Sequence, residues 1–175
     1  PVLGNGDIWQ ASDALSMVAQ TGCAGVVVGR GCLGRPWLFG DLARAFAGLP
    51  VPVAPPLDEV VAVLRRHAHL LAEWLTEPVA VRDVRKHVGW YLQGYPVGGE
   101  ARRRLTATTS VAALDAELDR LAADDPGMTV LPGADAQPRG KSSGPISVAL
   151  PDGWLASADD PAPVVADDLD AVSGG

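Results

Sequence analysis

Cysteine is nearly missing from this 175-residue chain: Cys23 and Cys32 are the only two. So small a number, with no metal-like spacing, excludes a disulfide framework and a cysteine-held metal. Two reduced thiols packed near a strand are the expectation, and with them a cytoplasmic setting. Histidine is also scarce, at three. His67 and His69 lie two apart in a helical pattern and so do not share a face, and no acidic residue beside them completes a ligand set; no metal is expected. No apolar run approaches the ~20 residues of a membrane span, and no basic-then-apolar leader stands at the start. Five tryptophans, two phenylalanines and two tyrosines are spread out and form no stacking ladder. An excess of positive charge is missing too, since the formal net charge is −7. That sum is uneven. Pro1 to Ala123 carries 12 basic and 12 acidic residues, whereas Asp124 to Gly175 carries 2 and 9. The body is neutral overall, so local patches decide whether it can meet RNA.

Two short apolar runs dominate what is present. Val2-Leu3 stops at Gly4-Asn5-Gly6-Asp7, and Gly25 to Gly29 runs into Arg30-Gly31, each followed by a helix pattern. Successive strand–loop–helix units of this kind are how a (β/α)₈ barrel ends, and the loops after its last two strands commonly form a phosphate site. Glycines let the backbone approach an anion, helix-start N–H groups donate to it, and Arg30 adds a planar charged fork. The two loops, Gly4 to Asp7 and Gly29 to Gly31, are therefore the candidate anion site. The competing reading of the first loop is an ordinary Asn-Gly turn closed by an Asx bond. Asp7 is repulsive to a phosphate and better suited to orienting Arg30 or capping the next turn. The bulk of Trp9 has no account at this level.

The expected organisation has three parts. Residues 1–47 form two β/α units, with a helix from Ser12-Asp13 to Gln20 ended by Gly22, and another from Leu38 to Ala47. Residues 48–56 hold four prolines and read as a semi-rigid linker. Residues 57–123 are wholly helical in period: Asp58 to Leu75, Val79 to Gln93, Glu100 to Leu105, and Ser110 to Ala123. From Asp124 the composition turns to Pro, Gly, Ala, Ser and Asp without periodicity, which reads as a disordered acidic tail over 124–175. Pro145 to Trp154 alternates briefly, as a lone strand does. The chain starts at Pro1, almost inside a strand and without an initiator methionine, as a fragment starts; most of a barrel is expected upstream.

On the second of the four helices, Arg82, Arg85 and Lys86 fall opposite the apolar stripe of Val81, Val84, Val88 and Tyr91. Between Arg82 and Arg104 there are six basic and two acidic residues. Such a face suits a phosphodiester backbone, and it equally suits plain solvation. Arg102, Arg103 and Arg104 are weaker candidates because adjacent residues point in different directions. His87 and Trp90 flank the stripe and read as core or interface residues.

The blocks GNGDI, TGCAGVVVGRGCLGRPWLF and RDVRKHVGWYLQG occur in that order, and over Pro1 to Ala123 the chain resembles the C-terminal part of bacterial tRNA-dihydrouridine synthases. The resemblance implies an α/β TIM barrel closing into an all-α bundle, FMN and NADPH as cofactors, and reduction of uridine to 5,6-dihydrouridine in tRNA. It implies FMN contacts at Asn5, Gly6, Asp7, Gly29 and Arg30. It implies tRNA contacts at Arg82, Arg85 and Lys86, in a protein acting as a monomer. It also implies a general acid, a cysteine on an upstream loop, so no catalytic residue is assigned here and the segment alone is expected to be inactive. Cys32 and Trp9 depart from the family pattern without touching the glycines. The alternatives are another FMN barrel oxidoreductase acting on a small molecule, and a non-catalytic RNA-binding remnant.

Overall fold

In the computed structural model, which describes residues 1–134 and 136–139, the two apolar runs pair as short parallel strands. They are β1 (Leu3–Asn5) and β2 (Gly25–Val27), in register Leu3↔Gly25, Gly4↔Val26 and Asn5↔Val27. β2 is shorter than the expected Gly25 to Gly29. Among the described residues its partner is β1, which ends at Asn5, so Val28 and Gly29 have no strand there to pair with. Helix α1 (Ala11–Thr21) crosses between the strands. It begins one residue before the expected Ser12-Asp13 start, because Asp13 acts from the third helical position. Its carboxylate accepts from the Trp9 N–H at 2.9 Å and the Gln10 N–H at 2.8 Å, two of the donors a helix start leaves open. Gly22 ends α1 in the left-handed region, its N–H on the Val18 carbonyl. A 3₁₀ turn, Arg30–Cys32, and helix α2 (Leu38–Phe46) follow. Ile8, Ala11, Ala14, Leu38 and Leu42 bury one small core here, with Met17, Val26 and Val28 against it.

The bundle comprises α3 (Leu57–Trp74), α4 (Glu77–Tyr91), α5 (Gly99–Ala107) and α6 (Val111–Asp124). All four expected helices are present, each displaced by no more than two residues at either end. The second core is theirs, built from Leu57, Val60, Leu64, Val84, Val88, Leu92, Leu105, Leu114, Leu118 and Leu121. Ser110 caps α6, accepting from the Ala113 N–H at 3.1 Å, and Glu77 at the start of α4 accepts from the Val111 N–H at 2.9 Å.

At two of the expected boundaries the chain makes close contacts. Residues 48–56 have no helix or strand, and they lie within one compact unit, residues 1–140. The Tyr95 hydroxyl donates to the Pro55 carbonyl at 2.5 Å, Arg44 Nε donates to the Pro50 carbonyl at 2.7 Å, and Trp37 packs on the bundle core. The second boundary is at Asp124. The chain beyond it is not helical, yet it folds back on the bundle. Met128 and Val130 cover the core, Leu57 N–H donates to the Met128 carbonyl at 2.7 Å, and Leu131 N–H donates to the Gly94 carbonyl at 2.8 Å. Apolar contact without periodicity is what the composition concealed. The remainder of the expected tail, 140–175 with its Pro145 to Trp154 segment, lies outside the described residues.

Candidate functional site

The two loops that follow β1 and β2 face one cavity of about 370 Å³, lined by Asn5, Gly6, Asp7, Trp9, Gly29, Arg30 and Gly31 among others. All five residues expected to contact a cofactor phosphate are brought together there. The first loop turns through positive φ at Gly6 (126°) and again at Asp7 (46°), the latter being uncommon outside glycine. Gly31 lies so close to the Ile8 carbonyl that a Cβ on it would stand 1.9 Å from that oxygen. The loops are thus fitted to each other at backbone level.

Asp7 Oδ1 lies 3.7 Å from Arg30 Nη2, both side chains being substantially exposed. Such a pair contributes about 0–1 kcal/mol to stability; its consequence is the direction it gives the guanidinium. Trp9 supplies what its sequence position did not explain. Its ring lies under the Arg30 guanidinium, 5.5 Å from the carbon to the ring centroid, a cation–π contact. Its carbonyl accepts from Nη1 of Arg35 at 2.7 Å, and Arg35 is only 4% exposed. Arg30 is therefore set between a carboxylate and an indole, and the backbone that carries the indole is held by the buried Arg35. The arrangement presents a directed, permanently charged fork beside glycine backbone, which is chemistry for an anion of phosphate type. The thiols are not part of it. Cys23 is buried, and Cys32 Sγ lies 3.1 Å from the Gly29 carbonyl.

The basic residues of the bundle divide. Arg82 and Lys86 are exposed on one face of α4; Arg82 has no hydrogen bond or ion pair among the described residues, and Lys86 lies 3.3 Å from Asp83. Arg85 is turned inward, donating from Nη2 to the Thr108 carbonyl at 2.7 Å. Arg102 is internal as well, with three carbonyl partners at Leu92, Tyr95 and Val97. Arg103 pairs with Glu100 and Arg104 with Glu117. The exposed basic side chains of this stretch are thus Arg82, Lys86 and Arg103, the last two each beside a carboxylate. His69, expected to have no acidic partner, has one from a distant helix: its Nε2 is 2.9 Å from Asp115 Oδ2 of α6. No group of three or more metal-ligating side chains forms among the described residues, and none of their helices is long and apolar enough to cross a membrane.

A second cluster was missed. His67 of α3 meets His87 of α4 edge-on at 4.7 Å, and His87 meets Trp90 in the same way at 4.9 Å. The Tyr91 hydroxyl lies 3.3 Å from His67 Nδ1. Burial lowers the pKa of His67. His87 is pushed down to about 4, chiefly by burial, with His67 and Lys86 adding to the effect and Asp83 opposing it. His87 thus stays neutral in the fold down to about pH 4, while in the unfolded chain a histidine protonates near 6.5, and His67 is shifted in the same direction. The contribution of His87 is therefore complete above pH ~6.5 and is lost as pH falls toward 4. Unfolding measured at pH 7 and pH 4.5 is expected to show a loss of about 1–2 kcal/mol, after allowance for screening at these part-exposed rings. His87→Phe is expected to flatten that dependence, and an equally steep profile in the variant would contradict this assignment.

Fold and site together define a class: paired β/α units whose loops converge on an anion-suited cavity, continued by a four-helix bundle. Comparison with known proteins gives the family. The dihydrouridine synthase (Dus) family model matches residues 1–125, and the chain belongs to that family. It is 51% identical over 176 residues to a probable tRNA-dihydrouridine synthase of Mycobacterium leprae, covering 100% of this chain and 44% of the relative. It is 51% identical over 160 residues to the probable enzyme of Mycobacterium tuberculosis (strain H37Rv), covering 91% and 40%. With tRNA-dihydrouridine synthase B of Pseudomonas putida it shares 40% over 114 residues, 65% of this chain and 34% of the relative. The chain thus spans about two fifths of the length of the mycobacterial relatives.

Proposed function

We propose that this chain is the C-terminal part of an FMN-dependent tRNA-dihydrouridine synthase, in which it holds the cofactor phosphate and contributes to gripping tRNA. The observation that carries the reading is the convergence of Asn5, Gly6, Asp7, Gly29 and Arg30 on one cavity in a member of this family. The residues suit an FMN phosphate: Arg30 is charged and directed by Asp7 and Trp9, and at Gly6 and Gly29 the space a side chain would fill is open. When bound there, FMN would supply hydride chemistry, taking hydride from NADPH and giving it to C6 of uridine.

The chain's own residues have positional roles in this account. Arg30 neutralises and orients the phosphate, Asn5 offers a donor and an acceptor beside it, and the turn at Gly6 and Asp7 keeps backbone close. Neither Cys23 nor Cys32 is proposed as the acid that protonates uridine C5, one being buried and the other turned onto the Gly29 carbonyl. The barrel reading is supported by apolar surface on the strand pair, where Val2 is 74% and Leu3 56% exposed; parallel sheets are ordinarily covered on both faces. Arg82 and Lys86 are the proposed tRNA backbone contacts. Arg85 is proposed to support that face from behind, through Thr108.

The test is reduction of unmodified tRNA by the full-length protein with FMN and NADPH, followed by nucleoside mass spectrometry. Dihydrouridine is the expected product. NADPH oxidation with a small enone and none with tRNA would contradict the reading.

A further inference from the structure

A second cavity, of about 390 Å³, opens where the segment after the 3₁₀ turn meets the bundle. It is lined by Cys32, Phe39, Arg66, His67, His87 and Tyr91 among others. Its size falls at the small end of ligand pockets. The turn Arg30–Cys32 is shared between the two cavities: Gly29 to Gly31 line the anion cavity, and Cys32 to Gly34 line this one. We propose that this junction cavity receives one unpaired nucleobase of the substrate RNA, a nucleotide other than the uridine being reduced. The inference rests on the reading of RNA as substrate and deepens it.

Four observations carry it. The walls are largely apolar, and beside the Arg66 guanidinium at the edge their polar groups are the Cys32 thiol, the Tyr91 hydroxyl and two imidazoles that burial shifts toward the neutral form; a flat, neutral, hydrogen-bonding ring is the complementary ligand. Tyr91 stays protonated, burial raising it to about 12. Its hydroxyl can therefore donate to His67 Nδ1, which leaves the His67 proton on Nε2 as a directed donor. Phe39 is 54% exposed, an aromatic ring at the cavity wall, and the Arg66 side chain, 3.8 Å from Glu73, is 66% exposed. Stacking on an aromatic ring or a guanidinium plane is how unpaired bases are ordinarily held. Finally, Lys86 adjoins His87 on α4, and Arg82 lies one turn before Lys86, so positive charge lies beside the cavity for the phosphodiester that a base brings with it. An enzyme acting on one base must extract it from its stack. The neighbouring base then exposes a face that such a cavity can cover.

The experiment couples base removal to cavity removal in the full-length protein. An unmodified tRNA transcript, and transcripts each carrying one abasic site at an unpaired position, are titrated by fluorescence anisotropy against wild type, Phe39→Ala and His87→Ala. One abasic site away from the reduced uridine is expected to weaken wild-type binding about tenfold, and the same site less than twofold in either variant. Phe39→Ala guards against misfolding, because that side chain is at the surface. If tRNA is bound and reduced but no abasic site shows this coupling, the cavity holds something else, such as another segment of the chain, and the inference is overturned while the proposed function stands. If wild type does not bind tRNA, both fall.

Discussion

Gly34→Ala is expected to lower the thermal unfolding midpoint by about 10–15 °C. Gly34 has φ +64°, and a Cβ placed on it would stand 2.3 Å from the Trp90 carbonyl carbon, 2.4 Å from Tyr91 N and 2.6 Å from the Trp90 oxygen. All three are backbone atoms of α4, so no rotamer change relieves the contact. A left-handed conformation costs a side-chain-bearing residue about 1–2 kcal/mol, and overpacking adds roughly 1–3 kcal/mol. The sum is about 2–5 kcal/mol, and its upper half, expected because only backbone could yield, converts to that shift for a domain of this size. The consequence reaches function, because Gly34 seats the segment that runs on from the Arg30 turn against the bundle. Circular dichroism melts decide the matter. A loss of less than 2 °C would show that this segment is not seated on α4.

Arg102→Ala is the second large effect. Its Nη2 donates to the Leu92 carbonyl at 2.8 Å and the Tyr95 carbonyl at 3.1 Å, and its Nε donates to the Val97 carbonyl at 3.1 Å. These carbonyls lie just past the end of α4, where intrahelical donors have run out. Hydrogen bonds from a charged group contribute about 1.5–3 kcal/mol each and are not additive, so roughly 3 kcal/mol is expected overall. Arg103→Ala, one residue on, is expected to cost less than about 0.5 kcal/mol, its side chain being 77% exposed and its ion pair with Glu100 a surface one. Urea unfolding of the two variants side by side is the check. Equal midpoints would mean that Arg102 is not the clasp.

That contrast shows where sequence reading stops. Apolar period located all four bundle helices, Ser110 marked the start of α6 and Gly22 the end of α1, and glycine spacing placed Asn5, Gly6, Asp7, Gly29 and Arg30 before they could be seen around one cavity. A helical wheel says which way a residue leaves its own helix, not what stands opposite. Arg85 and Arg102 were therefore grouped with surface charge although both find backbone carbonyls on neighbouring elements. Trp9 under Arg30, and Asp115 beside His69, are long-range pairings that carry no local signal. The turn back of Met128 and Val130 onto the bundle is the same kind of case: single apolar residues in a Pro- and Gly-rich stretch have no period to betray them.

The account turns on Arg30 and its two loops holding a phosphate, and the affinity of the full-length protein for FMN against riboflavin, which differ by that phosphate alone, tests it most directly. Flavin fluorescence titrations of wild type and Arg30→Leu are expected to show FMN bound about ten- to hundredfold more tightly than riboflavin by wild type, with most of that margin lost in the variant. Equal affinity of wild type for the two flavins, or a margin unchanged in Arg30→Leu, would contradict it.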